Sequence, residues 1–181
     1  MEKRYLSIKG LIVIEPKMFY DERGSFFESY NKEKFKELDI DVDFVQDNQS
    51  ISHKNVLRGL HFQKEPYAQD KLVRVTKGSV LDVAVDLRLS SPTYGKWASI
   101  VLSEKNGLMF FIPKGFAHGF LSLEDNTVFQ YKCSNIYSKD HEDGLLWDDP
   151  NLNIDWAVDK PNVSQKDLLL PNFLVYSELK Q

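Results

Sequence analysis

Apolar and polar residues alternate along two stretches of the chain, which is the pattern of a β-strand with one buried face. In Leu81–Leu87 every second residue is leucine or valine, whereas Asp82 and Asp86 fall on the other face. The same period recurs in Val128–Cys133, where Tyr131 lies on the apolar face. The pattern predicts two half-buried strands.

Further short apolar runs are separated by turn-forming residues such as Gly24, Gly78, Pro92 and Asn106-Gly107. These runs predict strands at Leu11–Glu15, Phe26–Tyr30, Phe44–Ser52, Lys71–Lys77, Lys96–Leu102 and Leu108–Ile112. Many short strands with regular turns are typical of a mainly β sandwich or barrel.

Two short helices are also predicted. Asn31 can cap one that runs to Leu38, and Ser164 followed by Asp167 resembles a capping box for a second. We expect residues 1–181 to form a single domain, in which an ordered, irregular C-terminal segment from about residue 140 wraps the barrel.

Composition excludes several functional classes. The 181 residues carry a net charge of −4 without a basic stripe, so a nucleic-acid polymer is not an expected partner. The single cysteine, Cys133, excludes an intrachain disulfide and favours a reducing compartment. No apolar run is long enough for a signal peptide or a membrane span. We therefore expect a cytoplasmic enzyme or binding protein.

The run Pro113–Phe120, which contains His118, resembles the second motif of the cupin superfamily, a family of small β-barrels (jelly rolls). Metal-binding cupins supply two further histidines and a carboxylate from a first motif, but here that region offers only His61. Lys71 stands where an acidic ligand would be expected, and its charge opposes a bound cation. We expect neither a metal nor another cofactor.

Nearly the whole chain, from about Leu11 to Leu170, resembles the nucleotide-sugar 3,5-epimerase family, whose best-known member acts on dTDP-4-dehydro-6-deoxyglucose. Each matching segment is weak evidence on its own, but the whole set in this order is specific for the family. The pieces are 21–28 (DERGSFFE), 46–48 (QDN), 57–61 (LRGLH), 71–75 (KLVRV), 85–88 (VDLR), 91–95 (SPTYG), 112–120, 131–132, Tyr137, Glu142, 147–150 (WDDP), 154–156 (IDW) and 164–167 (SQKD).

The resemblance implies proton transfer next to a ketone. A C4 ketone acidifies the C3 and C5 hydrogens, so the enzyme needs a base, a stabiliser of the enolate oxygen and an acid on the opposite face. The resemblance assigns these roles to His61, Lys71 and Tyr131, and it places Asp167 beside His61 as its orienting carboxylate. We also expect the neighbouring lysine to favour the tyrosinate form of Tyr131.

Structural roles are alternatives to these assignments. Asp167 could only close the capping box that starts at Ser164, and Lys71 could be a solvated charge at a strand end. Tyr131 could be a core residue with a hydrogen-bonded hydroxyl. His118 could be either a barrel histidine held by hydrogen bonds or a contact to a bound ligand.

The resemblance also implies residues that bind a nucleotide-diphosphate sugar. Arg23, Arg58 and Lys166 would contact the pyrophosphate, because guanidinium and ammonium groups suit phosphate oxygens. Sugar, ribose or base contacts would come from Glu28, Gln46, Asn48, His118 and Glu142. Tyr137 would stack on the base, with Phe19 and Phe26 lining the pocket. In the family an N-terminal strand crosses to a partner subunit, so we expect a homodimer in which Arg23 and Phe26 serve the neighbour's site.

Departures from the family pattern leave the substrate open. They lie at Tyr67 and Asp70, at Ile136, at Lys139 and at Asp143, near the expected sugar and base pockets. Relatives that act on GDP-linked 4-keto heptoses for capsule or other surface polysaccharide, or that invert only C3, are alternatives. The rival classes are a 4-keto sugar ketoisomerase, a non-catalytic sugar-binding cupin and a metal-dependent cupin.

Overall fold

The computed structural model describes residues 1–178 and consists mainly of β-strands. The strands are β1 (Glu2–Tyr5), β2 (Ile12–Glu15), β3 (Phe19–Asp21), β4 (Gly24–Phe26), β5 (Gln46–Ser52), β6 (Val56–Gln63), β7 (Lys71–Lys77), β8 (Ser79–Asp86), β9 (Trp97–Ser103), β10 (Met109–Ile112), β11 (Phe116–Ser122), β12 (Thr127–Cys133), β13 (Glu142–Gly144) and β14 (Asn162–Val163). The α-helices are α1 (Lys32–Glu37) and α2 (Phe173–Glu178), and 3₁₀ turns cover Lys139–His141 and Asp167–Leu169.

Two antiparallel sheets form the body of the molecule. The first sheet has the order β1-β2-β10-β7-β12-β5, and the second has the order β13-β6-β11-β8-β9, with β14 attached to β6. The main core, which includes Val73, Phe110, Phe129, Val80 and Ala84, contains residues from both sheets. The fold is the cupin-like jelly roll that the sequence predicted.

The C-terminal segment covers the second sheet with its own apolar cluster. Leu145, Leu152, Trp156 and Tyr176 pack with Val83 and Val85 of β8. This covering corrects the expectation for Leu81–Leu87. The strand is not half-buried, because its valine face packs with the C-terminal segment while its other face shares the main core.

Both aspartates of β8 are therefore fully buried, and each has a partner. Asp82 binds His118, whereas Asp86 accepts hydrogen bonds from Arg88, Ser91 and Thr93. Burial of a carboxylate is tolerated where hydrogen bonds replace its water shell.

Several predicted elements differ in the structure. The strand predicted at Phe26–Tyr30 is wrong, because β4 ends at Phe26 in a hairpin with β3. The helix capped by Asn31 is confirmed, and the Asn31 side chain accepts a hydrogen bond from the Lys34 amide. The helix predicted after Ser164 is only a 3₁₀ turn.

Among residues 1–178 no helix has the length and apolar character needed to cross a membrane.

Candidate active site

A cavity of about 340 Å³ opens beside β6, β7, β12 and β5. Three of the four predicted catalytic side chains line it, together with four of the predicted binding residues. Its lining is Gln46, Asn48, His61, Phe62, Gln63, Gln69, Lys71, Tyr131, Tyr137 and Glu142.

Strand pairing gives His61 a neighbouring strand on each side in the second sheet. In this sheet His61 of β6 lies opposite Gly144 of β13 on one side and His118 of β11 on the other. Its side chain is 30% exposed, so one edge of the ring is open to the cavity.

Asp167 lies behind His61. Its Oδ1 is 2.8 Å from His61 Nε2, and its Oδ2 accepts a 3.3 Å hydrogen bond from the Gly59 amide. A carboxylate can only accept, so Nε2 carries the proton and Nδ1 is left for other partners. The Asp167 side chain is only 6% exposed. Burial raises the pKa of Asp167, but the hydrogen bond and the electrostatic interaction with His61 lower it more, so its pKa lies below the usual range.

Of the capping box considered for Asp167, only the half that involves its backbone amide is formed, because its carboxylate binds His61 and Gly59. Its backbone amide donates to Ser164 Oγ over 3.1 Å, as in the predicted cap, while its carboxylate reaches His61. The 3₁₀ turn Asp167–Leu169 thus orients a carboxylate toward β6.

Lys71 and Tyr131 come from adjacent strands of the first sheet. Lys71 is partly buried, and within residues 1–178 its ammonium has no hydrogen bond or ion pair. Burial lowers the pKa of Lys71, while Cys133, Asp82 and Glu142 oppose that change. An ammonium without a fixed partner at a cavity wall can donate to a bound oxygen.

The expectation that Tyr131 favours its tyrosinate form is wrong. Burial raises the pKa of Tyr131, Cys133 and Glu142 raise it further, and only Arg58 lowers it. The phenol is therefore protonated near neutral pH and can donate a proton.

The predicted ligand contact of His118 is not supported by its position. His118 is buried behind the cavity wall, and its Nε2 lies 3.0 Å from both carboxylate oxygens of Asp82. Of the two interpretations, the hydrogen-bonded barrel histidine describes this structure. Sequence reasoning missed Asp82 because its alternation with valines placed it on a solvent face.

Two basic residues predicted to bind pyrophosphate lie close to the lining residues. Lys166 Nζ donates to Glu142 Oε2 over 2.5 Å, and Glu142 also accepts from the Tyr137 hydroxyl over 2.7 Å. Arg58 is exposed on β6 and donates to Ser52 Oγ over 3.2 Å. These side chains place positive charge at the rim.

Besides Arg58, Lys166 and His118, three more predicted binding residues do not line this cavity within the chain. Arg23 and Phe26 belong to the β3–β4 hairpin, where Arg23 pairs with Asp21 and Phe26 is 70% exposed. Glu28 binds Asn31 and Lys34 near α1.

Sequence reasoning also missed Phe62, Gln63 and Gln69 as lining residues. Gln63 stands two residues after His61, and this period-two spacing was the available signal. Among residues 1–178 no group of three His, Cys, Asp or Glu side chains is arranged to hold a metal ion.

Comparison with known proteins identifies close relatives. Residues 5–174 match the family model described as dTDP-4-dehydrorhamnose 3,5-epimerase. The chain is 54% identical to the enzyme of that name from Shigella flexneri over 162 residues, which are 89% of this chain and 90% of the relative. Identity to the Methanothermobacter thermautotrophicus enzyme of that name is 51%, covering 89% of this chain and 88% of that one.

Solved structures give the same result. The Legionella pneumophila dTDP-6-deoxy-D-glucose-3,5-epimerase, crystallised with dTDP-4-keto-L-rhamnose, superposes with a TM-score of 0.94 at 45% identity. That match covers 98% of this chain and 96% of the Legionella chain.

Proposed function

The chain belongs to the dTDP-4-dehydrorhamnose 3,5-epimerase family and is an isomerase of nucleotide-linked sugars, and from this premise we propose that it inverts C3 and C5 of dTDP-4-dehydro-6-deoxyglucose. The observation that carries the proposal is the convergence of His61, Lys71 and Tyr131 on one cavity, with Asp167 behind His61. The close relatives are dTDP-4-dehydrorhamnose 3,5-epimerases, which supports dTDP rather than GDP as the nucleotide of the substrate.

His61 is the base in this proposal. Because Nε2–H donates to Asp167, Nδ1 is the nitrogen that takes the carbon-bound proton. The imidazolium that forms is stabilised by the adjacent carboxylate, whose lowered pKa keeps it ionised.

Lys71 stabilises the enolate. When the proton leaves C3 or C5, the electron pair delocalises onto the C4 oxygen, and an ammonium without another partner can donate to it. Burial lowers the pKa of Lys71, and the charges of Cys133, Asp82 and Glu142 only partly oppose this change.

Tyr131 delivers a proton to the opposite face of the ring. Its O–H bond breaks as the new C–H bond forms, and exchange with solvent restores the phenol and the neutral imidazole. The raised pKa of Tyr131 makes it the protonated partner of the pair.

The remaining binding roles follow from the cavity lining. Gln46, Asn48 and Glu142 contact the sugar, the ribose or the base, and the half-exposed ring of Tyr137 stacks on the base. Arg58 and Lys166 neutralise the pyrophosphate from the rim.

The protein acts as a homodimer in this proposal. The β3–β4 hairpin exposes Phe19 and Tyr20 by 52% and 73%, in addition to Phe26, and a partner subunit would cover them. Arg23, Phe26 and Glu28 of one subunit then serve the neighbouring site. We further propose one domain over residues 1–181, action in the cytoplasm and a product used for surface polysaccharide.

Product analysis tests the reaction. With dTDP-4-dehydro-6-deoxyglucose, NMR should show inversion at both C3 and C5. A product inverted only at C3, or a ketone moved to C3, would contradict the proposal.

A GDP-linked 4-keto heptose is the matched control substrate, and we expect it to turn over much more slowly. Faster turnover of the heptose would overturn the nucleotide and sugar assignment.

A further inference from the structure

Gln63 is a cavity-lining residue to which the proposed chemistry gives no role. It ends β6 two residues after His61, and it is only 8% exposed. A buried side-chain amide needs hydrogen bonds to replace those it made with water. The partners of these hydrogen bonds therefore indicate the role of Gln63.

All partners of the Gln63 side chain are backbone groups of two loops. Its Nε2 donates to the carbonyl of Tyr67 over 2.8 Å and to that of Ile136 over 3.1 Å. Its Oε1 accepts from the Ser138 amide over 2.6 Å. Both N–H groups and the oxygen of the amide are therefore engaged.

These bonds flank Tyr137 on both sides, at Ile136 and Ser138. Tyr137 itself is held by two further bonds, from its amide to Gln46 Oε1 at 2.8 Å and from its hydroxyl to Glu142 at 2.7 Å. Glu142 lies opposite Gln63 in the β13–β6 ladder. Gln63 thus connects the strand that carries His61 to the loop that carries the exposed ring.

We propose that Gln63 is a positioning residue that fixes the Tyr137 ring as a platform for the nucleoside part of the substrate, an inference that rests on the proposed function. Gln63 has no contact with the reacting carbons in this role. Its loss should therefore weaken binding while leaving the proton transfers at His61 and Tyr131 intact.

Other bonds hold the two loops together when Gln63 is replaced. Lys64 N donates to His141 O over 2.9 Å, and the Asn135 side chain donates to Pro66 O over 3.0 Å. A Gln63→Leu variant is close in size and is expected to fold.

The test measures KM, kcat and the affinity for dTDP alone by calorimetry. Gln63→Leu should raise KM and the Kd for dTDP roughly tenfold, the loss expected from removing hydrogen bonds of ordinary strength, with kcat within about threefold. Gln63→Glu should behave similarly at pH 8, because a carboxylate cannot donate to the two carbonyls, and it should recover affinity as pH falls and the acid gains a donor.

Asn106 supplies a matched control. Its side chain also makes three bonds to backbone groups, with Ser103, Leu108 and Val101, in a turn that does not line the cavity. Asn106→Leu should lower the melting temperature without changing KM, kcat or dTDP affinity.

The outcomes separate this inference from the proposed function. If the wild-type protein neither binds dTDP nor turns over the sugar, the proposed function fails. If the wild-type protein does both and Gln63→Leu matches it in KM and Kd, or loses kcat instead, the positioning role of Gln63 is wrong.

Discussion

At the residue scale, Asp167 links the local chain to the proposed chemistry. The Ser164 hydroxyl caps the Asp167 amide, and the Asp167 carboxylate binds His61. The cap involves the backbone amide and the dyad involves the side chain, so substitution of the side chain separates the two functions.

Asp167→Asn should lower kcat at least about a hundredfold while leaving the melting temperature within a few degrees. An amide can donate to Nε2, which favours the wrong tautomer of His61 and removes the charge that stabilises the imidazolium. Steady-state kinetics and thermal unfolding measure the two effects.

Asp143→Asn is the control for that substitution. Asp143 lies in β13, which pairs with the strand that carries His61. Its side chain forms an ion pair with Lys64 at 3.4 Å near the surface. Exposed ion pairs contribute little, so its kcat should stay near the wild-type value. Equal losses in the two variants would contradict the dyad.

At the scale of elements, β6 and β11 carry the two histidines of the second sheet. The sequence pattern predicted neither of these two strands. Every residue of β11 is buried, so it shows no alternation. In β6 the pattern is interrupted by Arg58 and Gly59. Alternation reveals half-buried strands, and it fails where both faces of a sheet are covered.

Gly59 brings β6 and β11 close together. Its φ is +127°, and a Cβ there would lie 2.5 Å from Gly119 Cα and 2.9 Å from the His118 carbonyl oxygen. Gly59→Ala should therefore destabilise the fold by about 3 kcal/mol or more, through strain and overpacking together. Denaturant unfolding measures this loss.

Gly24→Ala isolates the backbone contribution. Gly24 has a similar φ of +123°, but a Cβ at this position would meet nothing within 4 Å. Only strain of about 1–2 kcal/mol is therefore expected. If the two variants were equally stable, close packing of β6 against β11 would not be what requires glycine.

At the scale of the whole molecule, the C-terminal segment covers the face of β8 that would otherwise meet water. The sequence predicted that this segment wraps the barrel, but not that residues from Leu145 to Tyr176 cover the valine face of β8. The candidate site was predictable where family motifs carry it, as at His61, Lys71 and Tyr131. Asp82 and Gln63 were not, because their roles depend on contacts between distant segments.

Buried Asp86 should make stability depend on pH. Burial raises its pKa, but hydrogen bonds from Arg88, Ser91 and Thr93 lower it more, to about 2 from 3.8. A folded-state pKa below the unfolded value contributes stability above pH 4, and that contribution is lost as pH falls toward 2. The contribution of Asp86 to the free energy of unfolding is about 2 kcal/mol.

Asp86→Asn should therefore be less stable than the wild type at pH 7, and the difference should shrink between pH 4 and pH 2. Urea unfolding at a series of pH values measures it. A difference that stayed constant over this range would show that the charge of Asp86 is not the stabilising feature.

The proposed dimer predicts complementation between inactive variants. If Arg23 serves the neighbour's site, mixing and refolding Arg23→Ala with His61→Ala produces heterodimers in which one of the two sites has both residues. About a quarter of the wild-type activity should return, since random pairing makes half of the dimers mixed. No recovery would place Arg23 and His61 in the same subunit's site.

The central claim is that His61 removes a proton from carbon, and hydrogen exchange in heavy water tests it most directly. With dTDP-4-dehydro-6-deoxyglucose, the wild-type protein should incorporate deuterium at C3 and C5. Tyr131→Phe should lose inversion more than exchange.

In the same NMR assay His61→Ala should slow exchange by about a hundredfold or more, the contribution expected of a general base. Exchange by His61→Ala at the wild-type rate would contradict the account.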